Sequence, residues 1–228
     1  MPETPTTTRQ PRVYTWSPQT WGPHHIPVPF AASWSGEHPD NDQLHVRTDH
    51  KGVPGLAFRD ERPEDRDRHG VLWARMSWAP GTGKPQFAQM HPLRQRDAML
   101  LKLCQVCGKP ADRTREGWLF LEARGPHTAG LPDPGDPYQG FTPKPPVCSG
   151  CAILAARMCP HLGDPIAFRS RKPLIAGVFG GLYLPNRNGR VLALPKDDHL
   201  YYGRTNATRW FLASQLITEL TKCTPATL

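Results

Sequence analysis

The chain has no long apolar run. Across its 228 residues no stretch approaches the roughly 20 apolar residues that a helix needs to cross a bilayer. The opening Met1-Pro2-Glu3-Thr4 also lacks the charged-then-apolar order of an export signal. We therefore expect no membrane partner and a cytoplasmic location. Helix-forming sequence is scarce as well: 27 prolines and 20 glycines interrupt a chain that is only 38% hydrophobic. With only two segments that look like good helices, that composition points to a loop-rich α+β protein built on small antiparallel sheets.

Other absences remove specific chemistries. Between Val13 and Trp34 there is no Lys or Arg, although Tyr14, Trp16, Trp21, Phe30 and Trp34 alternate there with prolines. A base-stacking platform interleaves aromatics with cations, so these rings read as extended chain packing into a core. The Gly/Pro stretch Ala79 to Pro85 has Trp78 where a phosphate-binding loop needs its first glycine, and Pro85 where it needs Ser or Thr. We expect no nucleotide cofactor. His24, His25, His38, His45 and His50 have no ligand spacing and read as solvated. In Arg59 to Gly70, mixed charge with Pro and Gly reads as a solvated loop or a short capped turn, its carboxylates neutralised by neighbouring arginines.

What the chain does have is two Cys-x-x-Cys pairs, Cys104/Cys107 and Cys148/Cys151. Four thiolates brought to one point suit tetrahedral zinc, at about 2.3 Å from each sulfur. Gly108 can supply the positive φ of a tight knuckle after the first pair. Pro145-Pro146 ends before a helix-rich run, Ser149 to Met158, so Cys151 falls in a first helical turn, where the dipole favours a thiolate. A reducing cytosol agrees with metal-bound cysteines. Cys159 reads as a packed thiol near the site, and Cys223 as a lone residue near a frayed terminus.

Knuckle, hairpin and then a helix bearing the second pair resemble the treble-clef zinc finger. The resemblance covers roughly 60 residues and implies a four-cysteine zinc site over 104–162. The HNH-type nucleases use the same scaffold with a catalytic His by the hairpin and a His or Asn on the helix. His127 and His161 are the candidates here. His127 lacks an acidic neighbour and Ser149 to Met158 holds no His or Asn, so the resemblance assigns no catalytic role to either. The finger with Val71 to Arg75, His91 to Arg96 and Cys159-Pro160-His161 is also similar to actinobacterial zinc-finger proteins, a grouping that implies no activity.

Around the finger we expect a disordered tail (1–12), a Pro- and aromatic-rich β-containing region (13–103) and a basic hairpin region with a closing helix (163–228). Strands are expected over Val53–Arg59, Val71–Trp78, Pro165–Phe168, Leu174–Phe179, Leu182–Leu184 and Arg190–Leu194. Asn188-Gly189 marks a hairpin. Helices are expected over Leu93–Leu103, with Leu93, Leu100 and Leu103 on one side, and over Arg209–Lys222, where Trp210, Ala213, Ile217 and Leu220 share a face.

The formal charge of +8 is uneven: residues 155–228 carry 10 basic against 4 acidic side chains, residues 1–103 carry 13 against 11. A basic region points to nucleic acid, with Arg169, Arg171, Lys172, Arg187 and Arg190 as the candidate contacts. Arg outnumbers Lys 20 to 8, which coding bias in a GC-rich genome would also produce. The alternatives are a protein-interaction adaptor with purely structural zinc, and the metal-dependent nuclease.

Overall fold

A computed structural model describes residues 17–123, 138–159, 162–186, 188, 190–195, 197–203 and 205–228. The first half folds as small strands: β1 (Gln19–Trp21), β2 (Ile26–Val28), β3 (Ala32–Trp34), β4 (Leu44–Thr48), β5 (Pro54–Phe58), β6 (Leu72–Trp73) and β7 (Pro85–Met90), followed by α1 (Pro92–Leu101). The second half has β8 (Arg113–Thr114), β9 (Gly117–Ala123), β10 (Tyr138–Thr142), α2 (Ser149–Met158), β11 (Pro165–Ser170), β12 (Leu174–Pro185), β13 (Val191–Ala193) and β14 (Asp198–Tyr201). A single helical turn, α3 (Thr205–Thr208), leads into β15 (Phe211–Pro225). Fold class is mixed and strand-rich, with small sheets and few helices. No described helix is long and apolar enough to cross a membrane.

The closing helix expected over Arg209–Lys222 is instead β15, the longest strand described. Phe211, Leu212, Ala213, Leu216, Ile217, Thr218, Leu220 and Cys223 are all buried, so both faces of the strand are covered. A strand buried on both faces loses its two-residue alternation, and its apolar positions then match helical spacing by accident. The β-branched Ile217, Thr218 and Thr221 favour the extended form. Cys223 likewise sits in a paired strand, opposite Tyr138 and Ser170, rather than at a frayed end.

Along one edge of β15 run β12 and β11, with Gly181 opposite Leu212 and Ser170 opposite Cys223. Arg171-Lys172-Pro173 interrupts that run without turning away: Arg171 N donates to Lys222 O at 3.4 Å and Thr221 Oγ1 to Lys172 O at 2.9 Å. The opposite edge carries β6, parallel at Leu212, and β10, antiparallel at Leu220. At Leu216, between those two strands, Gln95 of α1 takes the place of a peptide unit. Its Oε1 accepts from Leu216 N at 2.8 Å while its Nε2 donates to Leu216 O at 3.0 Å. Val71, Trp73 and Met99 share one core with Val178, Leu200 and Phe211, so residues before 103 and after 163 pack together.

Helix α1 faces the other way from its sequence pattern. Leu100 and Leu101 are 47% and 39% exposed, whereas Arg94, Gln95, Arg96 and Asp97 are buried. The Arg94 guanidinium grips Glu37 in a fork, with Nη1 to Oε1 and Nη2 to Oε2 both at 2.6 Å, and Nη2 also reaches Ala32 O at 2.7 Å. Glu37 in turn accepts from the backbone of Trp34 and Ala79. Both side chains are wholly out of solvent. A buried pair gains little over an apolar pair, but removing one partner strands a charge at a cost of ~3–5 kcal/mol. Glu37→Gln and Arg94→Met should each lower stability by about that much, and the double variant by less than their sum, as read by chemical denaturation.

His91, one turn before Arg94, is fully buried, and its Nε2 lies 3.2 Å from Ser77 O. Burial and the Arg94 charge push its pKa down to about 4, against 6.5 for a free side chain. Between those values the unfolded chain binds the extra proton, so stability falls as pH drops from 6.5 towards 4. His91→Gln should flatten the acid side of the stability profile in this window, with pH-dependent urea midpoints as the readout.

Candidate metal centre

The four paired cysteines meet. Their sulfur atoms all lie within 4.8 Å of one another, with Cys107 Sγ 3.9 Å from Cys148 Sγ. Among the described residues this is the only set of three or more Cys, His, Asp or Glu ligand atoms so close together.

Local sequence builds each half. In the first, Gly108 N donates to Cys104 O at 2.9 Å and Cys104 N to Lys109 O at 2.7 Å, closing a knuckle. Gly108 takes φ 69°, the left-handed region that glycine enters at least cost. In the second half, Cys148 is the extended N-cap residue of α2 and Cys151 lies in its first turn, as the prolines before it require. Two hydrogen bonds place the halves together: Gln105 N, inside the knuckle, donates to Pro146 O at 2.9 Å, and Ser149 N donates to Asp112 Oδ2 at 2.8 Å.

Asp112 was not legible as a site residue, because its partner lies 37 positions away. Its carboxylate also takes the Ser149 hydroxyl, and these bonds hold it below the usual carboxylate range. An anion at the first turn of α2 complements the helix dipole. Cys104 is buried, and desolvation pushes its pKa up to about 12. Cys151 is raised as well, by burial first and then by negative charge on its cysteine neighbours. Cys148 goes the other way: burial opposes its ionisation, yet the Cys151 N–H and the neighbouring thiols outweigh it. Ionising Cys104 and Cys151 here is unfavourable without compensating charge, which a cation held among the sulfurs would supply while displacing protons as it binds.

The candidate cations divide. Arg169, Arg171 and Lys172 lie together near the β8–β9 hairpin, whereas Arg190 stands at the far end of β12, across the hairpin from Asn186. Arg187, His127 and His161 lie outside the described residues. Cys159 ends α2 and Cys223 is in β15, neither within the cluster.

Comparison with protein-family models, curated proteins and solved structures finds no match to this chain. The site therefore stands on its geometry.

Elemental analysis of carefully prepared protein should find one equivalent of metal per chain, lost in Cys104→Ser and in Cys151→Ser together with thermal stability. Asp112→Ala should keep the metal and cost about 1 kcal/mol, the usual worth of a helix cap.

Proposed function

We propose that the protein is a zinc-stabilised, cytoplasmic nucleic-acid-binding protein. Zinc is favoured by the all-sulfur donor set: tetrahedral coordination at ~2.3 Å implies a sulfur–sulfur edge of ~3.8 Å, close to the 3.9 Å between Cys107 and Cys148. Knuckle, the β8–β9 hairpin and then α2 with the second pair support the treble-clef reading. Four cysteines fill the tetrahedron and leave no open position for hydrolytic chemistry.

The observation that carries the binding role is a convergence of cations from three chain segments at one end of the main sheet. Arg113 and Arg115 come from the β8–β9 hairpin, Arg169, Arg171 and Lys172 from the end of β11, and Lys222 from β15. Register aligns them, because Arg113 pairs with Trp118, Trp118 with Ser170 and Ser170 with Cys223. Gly117 makes the approach possible, since a Cβ there would lie 1.9 Å from Ser170 O. Arg113, Arg115, Arg171, Lys172 and Lys222 are exposed, and Arg113 lies over the Trp118 ring at 4.4 Å. Such a surface suits phosphates, with sequence-independent and salt-sensitive affinity.

Fluorescence anisotropy with labelled duplex and single-stranded DNA and RNA tests this. Five phosphate contacts on a duplex predict roughly a 500-fold loss of affinity on a fourfold rise in salt. Combining Arg113→Gln, Arg115→Gln, Arg171→Gln and Lys172→Gln should leave a slope near one contact, while Arg190→Gln should not change it. No binding to any of these nucleic acids at low salt overturns the reading.

A further inference from the structure

One face of the main sheet carries exposed rings. Residues directly opposite one another in antiparallel strands share a face. Phe179 pairs with both His199 and Gln215, Gly177 with both Tyr201 and Ile217, and Glu219 with both Leu174 and Phe141. Gln215, Ile217 and Glu219 are alternate residues of β15, so all these positions lie on the same side. Val178, Leu200 and Leu216 occupy the other side and enter the core. On the ring-bearing side Tyr201 and Phe141 meet with centroids 4.8 Å apart at 57°, although β12 and β15 lie between their strands. Gly177, in the same row as Tyr201, has no side chain to separate the two rings. Phe179 meets His199 at 5.2 Å. Phe141 is 49% exposed and Leu174 43%, and apolar surface concentrated in this way marks a binding face.

What covers that face follows from the charge beside it. Thr221, the next residue of β15 on this side and ~7 Å beyond Glu219, donates through Oγ1 to Lys172 O at 2.9 Å. Arg171 N donates to Lys222 O at 3.4 Å. Arg171, Lys172 and Lys222 are exposed, so the rings run on into the cationic end of the sheet. Cations next to open rings suit a ligand that carries both phosphates and unstacked bases. A duplex cannot use the rings, because its bases are already stacked inside it. The Glu219 carboxylate, between Leu174 and Phe141, repels phosphate and keeps a strand's backbone on the Lys172 side.

We propose, building on the nucleic-acid reading above, that the ligand is a single strand whose phosphates follow Arg171 and Lys172 while a base stacks on Phe141. Fluorescence anisotropy on the intact chain compares a short labelled oligothymidine with an abasic strand of equal length and charge, and with a duplex. Oligothymidine should bind about tenfold more tightly than the abasic strand. Phe141→Ala should remove most of that difference and leave affinity for the abasic strand within about twofold. If Phe141→Ala alters the circular dichroism spectrum, Phe141→Leu, which keeps apolar bulk without the ring, takes its place. Equal affinity for the two strands, tighter binding of the duplex, or a Phe141 variant that binds oligothymidine unchanged overturns the proposal, and leaves the nucleic-acid reading standing as long as binding remains salt-sensitive. A dimer in sedimentation that Phe141→Ala dissociates puts a second copy on this face and also overturns it. Failure to bind any strand or duplex at low salt overturns both.

Discussion

A strand buried on both faces has nowhere to send its backbone polar groups except to other protein atoms, and β15 is such a strand. The architecture around it answers that requirement. β12 and β11 take one edge as a single interrupted run, β6 and β10 take parts of the other, and the Gln95 amide serves the gap at Leu216. Elements far apart in sequence are held in register because each satisfies a different part of one backbone.

Gln95 can do this only if α1 is held with its polar side inward, and the Glu37–Arg94 pair holds it. The fork between them joins the chain just after β3 to the first turns of α1, while Trp34 N and Ala79 N complete the shell around the carboxylate. Burial keeps His91 beside it uncharged. From the same arm, Phe30 and Ala31 reach the knuckle. One buried charge pair thus links the strand that organises the sheet to the loop that carries the first two sulfurs. The carboxylates of Asp60, Glu61, Asp65 and Asp67 are also taken up, by Arg75, Arg66 and backbone amides, so they form an ion-pair network rather than a free acidic site.

The cysteine cluster and the basic surface share their scaffold. Asp112 caps the helix that bears Cys148 and Cys151, and the next residue, Arg113, begins the hairpin that brings cations to the end of the sheet. On the other side of the cluster, the residues between Cys104 and Cys107 line an apolar cleft. Disturbing the cluster would therefore reach surfaces on both flanks, because one is lined by the residues inside the knuckle and the other begins beside Asp112, which holds the start of α2.

Features whose cause is local were legible in the chain alone. Two cysteine pairs with two residues inside each, a glycine after the first and a helix start at the second were enough to specify that these four sulfurs meet and that α2 begins at the second pair. The apolar run at Val53–Arg59 located β5, and Asn188-Gly189 marked the hairpin between β12 and β13, whereas the run expected over Val71–Trp78 is strand only at Leu72–Trp73. The remainder waited on the folded molecule, since it depends on what covers each segment. Whether Ala213, Ile217 and Leu220 lie on a helix or a strand turns on burial of both faces. The inward side of α1 is set by Glu37, 57 residues away from Arg94. Arg113, Arg169 and Lys222 become neighbours through strand register alone, a relation that spacing along one chain does not carry.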